Sequence, residues 1–204
     1  MDTKTHWEQL YETKAPNQVS WYQAQPDMSL HFIHRTGVDK LSHILDVGGG
    51  ASTLVDHLLA EGFQHISVLD ISRTALHEAQ ERLGPQAENV TWIEADITQA
   101  ALPPTSFDVW HDRAVFHFLT DAESRRRYTD VLRHALRRDG HLIMATFALD
   151  GPTRCSNLDV VRYSSKALLG ELGADFELVH CARETHITPS GREQKFIYCW
   201  FRRR

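Results

Sequence analysis

Ile44-Leu45-Asp46-Val47-Gly48-Gly49-Gly50-Ala51-Ser52 decides how this chain folds. An apolar run carrying one acid meets three consecutive glycines. Glycine directly after a short strand lets the backbone turn sharply into a helix and approach a ligand closely. The spacing almost matches the glycine fingerprint of dinucleotide-binding turns, but Thr53 stands where the third glycine belongs. Asp46 separates the alternatives. A carboxylate beside the turn repels a pyrophosphate and suits a cationic ligand. The same residues also fit a bare strand–helix turn in which Asp46 caps the helix.

Outward from this stretch the chain alternates. His43–Val47 reads as a strand, Ser52–Ala60 as a helix, Ile66–Asp70 as a strand and Ser72–Leu83 as a helix closed by Gly84-Pro85. Val90–Ala95 and Phe107–Trp110 read as strands, Asp121–Arg138 as a long helix ended by Asp139-Gly140, and His141–Phe147 as a fifth strand. Strands joined by helical crossovers predict a mostly parallel sheet with helices on both faces. Beyond the helix Lys166–Leu172, the segments Phe176–Val179 and Lys195–Trp200 follow one another without a helix, around the turn signal Thr188-Pro189-Ser190-Gly191. They predict an antiparallel pair at the sheet edge. At the start, Trp7, Leu10 and Tyr11 share a helical face, Pro16-Asn17 breaks it, and Pro26-Asp27 opens a second helix.

Two more acids sit where strands end. Asp70 closes the second strand, in position to accept hydrogen bonds from a ribose, or to cap the helix near Ser72. Asp96 follows the third, in position to meet an adenine amino group, with Ile97 offering a backbone N–H and an apolar surface. Three carboxylates along one rim suit the sulfonium and amino group of S-adenosylmethionine, a donor without phosphates.

The pieces Leu45-Asp46-Val47-Gly48-Gly49-Gly50, Val68-Leu69-Asp70-Ile71-Ser72, Ala95-Asp96-Ile97, Ser106-Phe107-Asp108-Val109-Trp110 and Leu136-Arg137-Arg138-Asp139-Gly140-His141-Leu142 together resemble the class I S-adenosylmethionine-dependent methyltransferases over nearly the whole chain. Arg138 and Asp139 replace the family's Pro and Gly in the last turn, a structural departure. The resemblance implies a three-layer α/β/α Rossmann-like fold, with a seven-stranded, mostly parallel sheet whose last strand is antiparallel. It implies that Asp46, Gly48 and Gly50 hold the methionine part, Asp70 the ribose, and Asp96 and Ile97 the adenine, with Ile71 a further cofactor-binding residue. Residues 1–42 are expected to form a helical cap on a methyltransferase domain, 43–204, within one structural domain. The aromatics Trp7, Tyr11, Trp21 and Tyr22 either lid the cofactor, where their faces suit a sulfonium, or cover the core edge.

The acceptor side is expected after the fourth strand, in Trp110-His111-Asp112-Arg113-Ala114-Val115-Phe116-His117. His111, Asp112, Arg113 and His117 are the catalytic candidates. Arg113 binds an acidic acceptor or pairs with Asp112, and His117 shares its face if the segment is helical. The Asn-Pro-Pro-Tyr motif of several N-methylating branches is missing. A long loop after the fifth strand supplies pocket candidates Arg154, Cys155, Arg162 and Tyr163, joined by His186 and by Tyr11. These features tilt the expectation toward S-methylation of a small thiol or sulfide. A protein lysine or a metabolite oxygen is the alternative acceptor.

Composition sets the boundaries. The chain has 204 residues, 42% of them hydrophobic, and a formal net charge of −5. That charge argues against a long nucleic acid as substrate, which wants a basic face. No apolar window approaches a membrane span, and Met1–Glu12 lacks the pattern of a secretory or organellar leader. A cytoplasmic protein without a membrane partner, monomeric or weakly dimeric, is expected. Cys155, Cys181 and Cys199 lie far apart, without CxxC or HExxH, so neither a zinc site nor a disulfide scaffold is expected.

Overall fold

The computed structural model describes residues 2–204. Its strands are β1 (His43–Val47), β2 (His65–Asp70), β3 (Val90–Glu94), β4 (Phe107–Arg113), β5 (Leu136–Phe147), β6 (Arg154–Cys155), β7 (Leu158–Asp159), β8 (Phe176–Ile187) and β9 (Glu193–Arg203). Its helices are α1 (Thr3–Thr13), α2 (Asp27–Thr36), α3 (Leu54–Ala60), α4 (Arg73–Leu83), α5 (Ala122–Ala135) and α6 (Ser165–Leu172). Seven strands form one sheet in the order β3-β2-β1-β4-β5-β9-β8. The first five run parallel, and β9 runs antiparallel to both β5 and β8. The expected seven-stranded α/β/α fold with an antiparallel last strand is what the chain adopts.

Alternation along the strands builds two cores. Ile44, Val68 and Ile143 face α2, α3 and α4, meeting Phe32, Ile33, Leu54, Leu58 and Leu76. Their neighbours Leu45, Trp110 and Leu142 face α5 and α6, meeting Tyr128, Leu132, Leu168 and Leu172. Each fully buried side chain of this kind contributes roughly 1.5–3 kcal/mol, so burial outweighs helix propensity in fixing the layers. Side-chain caps sharpen the starts: Ser72, Asp121 and Ser164 accept from the backbone N–H of Ala75, Ser124 and Ala167.

The sequence misplaces several boundaries, among them the end of β4, expected at Trp110 and found at Arg113. The helix expected to reach Arg138 stops at Ala135, because Leu136 takes extended backbone, pairs with Phe107 and is fully buried. Burying Leu136 on the sheet wins over one more helical turn, and the strand then runs through an irregularity at Asp139, φ 63°, where its pairing shifts from Phe107 to Val109. The late strands are also longer than their apolar runs. The loop after β5 holds the two-residue hairpin β6–β7.

From β1 the chain moves outward to β2 and β3, then returns to β4 on β1's other side. The carboxyl ends of β1 and β4 therefore flank the point where strand order reverses, the usual binding crevice of open α/β sheets. Among the described residues no helix is long and apolar enough to cross a membrane.

Candidate active site

The glycine turn presses against two carboxylates. A Cβ on Gly49 would lie 2.5 Å from Asp46 Oδ2, and one on Gly50 would lie 2.6 Å from Asp70 Oδ2. Gly48 has φ +66°, and a Cβ there would meet Val115 at 2.0 Å. Gly49, which the motif reading passed over, is thus as constrained as its neighbours. Asp46 is buried; its Oδ1 is 2.7 Å from His111 Nδ1, while its Oδ2 has no hydrogen-bond partner. Asp70 is buried too, and burial pushes its carboxyl up to about 7 despite the N–H donated by Ser72. Asp96 accepts from Thr98 N and Thr98 Oγ1 within its own turn.

Strand geometry divides the acceptor-side candidates. Successive β4 side chains point to opposite faces. His111 and Arg113 point toward α2 and the crevice; Asp112 points into the α5 core. Asp112 accepts from Tyr128 Oη at 2.5 Å and from the N–H of Val115 and Phe116 at 2.9 and 3.2 Å. Burial raises its carboxyl to about 6. The three consecutive residues therefore do not form one cluster. His111 Nε2 meets Ser29 Oγ at 2.9 Å, so both ring nitrogens are engaged. His117 does not share a helical face with Arg113. It sits in a single 3₁₀ turn, Phe116–Phe118, fully buried against Phe147, and burial drops its pKa to about 3. It is neutral at ordinary pH and outside the cavity lining.

Two adjoining cavities occupy the crevice. The larger, about 800 Å³ counted to its open mouth, runs from Asp70, Ile71, Asp96 and Ile97 to Arg113 and Cys155. The smaller, about 570 Å³, is lined by Asp46, Gly49, Ser29 and His111. Tyr11, Trp21, Gly48 and Arg113 line both. Burial pushes the Cys155 thiol up to about 11, so it is a neutral wall. Other expected pocket residues lie elsewhere. Arg154 is exposed and pairs with Asp159, and Arg162 is exposed and donates to Gly151 O. Tyr163 is buried against Phe116 in the α5–α6 core. His186 is buried beside the roof, its Nε2 2.8 Å from Ser20 O.

The roof has two parts. α1 brings Trp7 and Tyr11 over the cavity, where Trp7 meets Trp21 and Phe118 edge-on. Glu8 pins α1 by accepting from Arg73 N, Thr74 N and Ser72 Oγ at the start of α4. A strap, Ser20–Ala24, completes the roof. Its carbonyls at Ser20, Trp21, Gln23 and Ala24 are bound by His186, Arg113, Thr53 and His57. Glu8, Ser29, Gln194 and Tyr198 carried no motif signal. The alternation Gln194-Phe196-Tyr198 on β9 was the one readable hint, since all three are buried.

The site is a crevice lined by Asp46, Asp70 and Asp96 at the strand ends of a doubly wound sheet. The methyltransferase-domain family matches residues 44–140. The eEF1A lysine and N-terminal methyltransferase of Mus musculus is 26% identical over 119 residues, covering 58% of this chain. The match covers 17% of that relative, so this chain spans about a sixth of its length. Among solved structures, one described for conversion of a disulfide bond into a thioacetal group during echinomycin biosynthesis superposes with TM-score 0.81 at 15% identity, covering 99% of this chain and 92% of its own. A S-adenosylmethionine-dependent methyltransferase of Anabaena variabilis gives TM-score 0.78 at 15% identity, covering 100% and 96%. The N-methyltransferase NodS of Bradyrhizobium japonicum, with S-adenosyl-L-homocysteine, gives 0.71 at 17%, covering 99% of both chains. Residues 44–140 thus resemble a methyltransferase domain, and the chain shares its fold with solved S-adenosylmethionine-dependent methyltransferases. The donor that this likeness implies is S-adenosylmethionine.

The residues present fit that donor. Asp46 Oδ2 is a buried acceptor with nothing to bind in the protein, and the glycines leave no side chain between the turn and the crevice. Replacing Glu8 with Ala frees α1 from α4 and is expected to weaken S-adenosylhomocysteine binding about tenfold, the scale of one lost helix cap. Calorimetry giving wild-type affinity for this variant would remove α1 from the donor site.

Proposed function

We propose that this chain N-methylates a small-molecule amine. Asp46, Gly48 and Gly50 are assigned to the methionine part of the donor, Asp70 and Ile71 to the ribose, Asp96 and Ile97 to the adenine, and residues 1–42 to a cap that shields them. The observation that carries the reading is an apolar, roofed chamber whose acceptor end offers no free base. His111 is held at both nitrogens, Asp112 faces the other core, and Cys155 is a neutral thiol. An alcohol needs a base to become nucleophilic, whereas an amine needs only to be neutral. Burial disfavours an ammonium ion, and the neighbouring Arg113 guanidinium disfavours it further. The chamber thus supplies a neutral amine by desolvation.

The donor, when bound, supplies a methyl group on a cationic sulfur, which leaves as a neutral thioether. The amine lone pair forms the N–C bond as the S–C bond breaks, and the methylated ammonium loses its proton to water on release. Trp7, Trp21 and Phe118 exclude water from the chamber. The expected S-methylation of a thiol or sulfide leaned on a histidine-rich pocket, and His117 lies outside the lining. A polypeptide amine is the second reading, supported by the relatives named for lysine and N-terminal methylation. Labelled donor should mark small amines ahead of thiols, phenols and Lys-bearing peptides, read by product mass. Transfer to thiols alone would overturn the proposal.

A further inference from the structure

We infer that Cys181 and Cys199 form a redox-active dithiol at the outer edge of the sheet, a modification site for low-molecular-weight disulfides. The cysteines are scattered along the chain, yet the ladder between β8 and β9 sets these two directly opposite each other. Directly opposed residues of an antiparallel pair share a face of the sheet. They stand about 4.5–5.5 Å apart at Cα, inside the span of about 4.4–6.8 Å that a disulfide bridges. The register runs unbroken from His180 opposite Trp200 to Ile187 opposite Glu193, so the backbone holds the pair in place. Cys155 has no such partner: Leu158 stands opposite it on the hairpin β6–β7.

The two thiols differ in access. β8 is the last strand of the sheet, paired on one side alone, and Cys181 is exposed on it. Cys199 is fully buried in the core under α5 and α6. Burial pushes its thiol up to about 12, and the Cys181 thiol beside it adds to the rise. This difference orders the chemistry. Cys181 meets a reagent from solvent, whereas Cys199 meets Cys181. Cys181 Sγ attacks a small disulfide, RSSR, forming a mixed disulfide and expelling one thiolate, which takes up the proton that Cys181 released. Cys199 Sγ then attacks Cys181 Sγ. The bond between Cys181 and R breaks, and the second thiolate leaves with the proton of Cys199. The two cysteines lose two electrons, and RSSR is reduced to two RSH. A buried thiol is a poor nucleophile, but the ladder keeps it beside the one sulfur it has to attack, which removes the cost of encounter.

The inference rests on neither the donor nor the acceptor. The test incubates the full chain with oxidised glutathione and maps its thiols by alkylation and peptide mass. Wild type is expected to go from three free thiols to one, with Cys181 and Cys199 in one linked peptide, no glutathione retained and full reversal by dithiothreitol. Cys199→Ser is expected to stop at glutathione on Cys181, and Cys181→Ser to leave Cys199 unmodified. A wild-type protein that keeps glutathione on Cys181, couples Cys181 to a second chain or leaves Cys181 unreacted overturns the inference. Should either variant fail to fold, the linked peptide of the wild type decides alone: its presence supports the inference and its absence overturns it.

Discussion

Asp70→Asn will weaken S-adenosylhomocysteine binding roughly 10²–10³-fold, the value of two charged hydrogen bonds at about 1.5–3 kcal/mol each, partly retained by the amide. The loss should carry a pH signature. In the free protein burial holds the Asp70 carboxyl up at about 7, helped by the nearby Asp46 charge. Hydroxyl donors and a cationic ligand favour its ionised form, so wild-type affinity should fall as pH drops below about 7 and level off above it. The Asn variant should show no such slope. Stability runs the other way. A carboxyl whose folded pKa exceeds its unfolded value makes the folded chain bind more protons, so its ionisation destabilises the empty protein fully above pH 7. That penalty shrinks as pH falls from 7 toward 4. The ligand-free Asn variant should therefore melt higher than wild type at pH 8, with the gap closing in acid. Wild-type affinity in this variant would end the ribose assignment.

Asp112→Ala is expected to cost about 3–5 kcal/mol of folding stability, because it strands the Tyr128 hydroxyl and two backbone N–H groups in the α5 core. Urea denaturation reads this directly. Tyr128→Phe, which removes one donor and keeps the ring, should cost only about 1–2 kcal/mol. Both variants should bind S-adenosylhomocysteine normally where folded. A stable Asp112→Ala protein with lost turnover would return Asp112 to the chemistry.

The layers were legible because they follow from local patterns. Apolar strands ending in acids, helices stopped by glycine and a hairpin with Pro-Ser-Gly at its tip all report on nearby residues. The donor side was legible for the same reason: each carboxylate closes its own strand, and the topology needs only to place those ends on one rim. The acceptor side was not. His111, Asp112 and Arg113 read as a cluster in the chain, but the two-residue period of a strand sends Asp112 to the opposite face. Asp46 and His111 meet because β1 lies beside β4, a pairing across 65 positions that no window of sequence contains. Glu8, Ser29 and Tyr198 come from three different elements, and each is an ordinary residue in its own context.

The strap over the crevice is gripped by its carbonyl oxygens, and a carbonyl belongs to every residue type. Side chains along Ser20–Ala24 can therefore be exchanged while the fastening to His186, Arg113, Thr53 and His57 persists. Such a ceiling lets descendants of this chain refit their chamber for new ligands one substitution at a time, without first having to reinvent its closure.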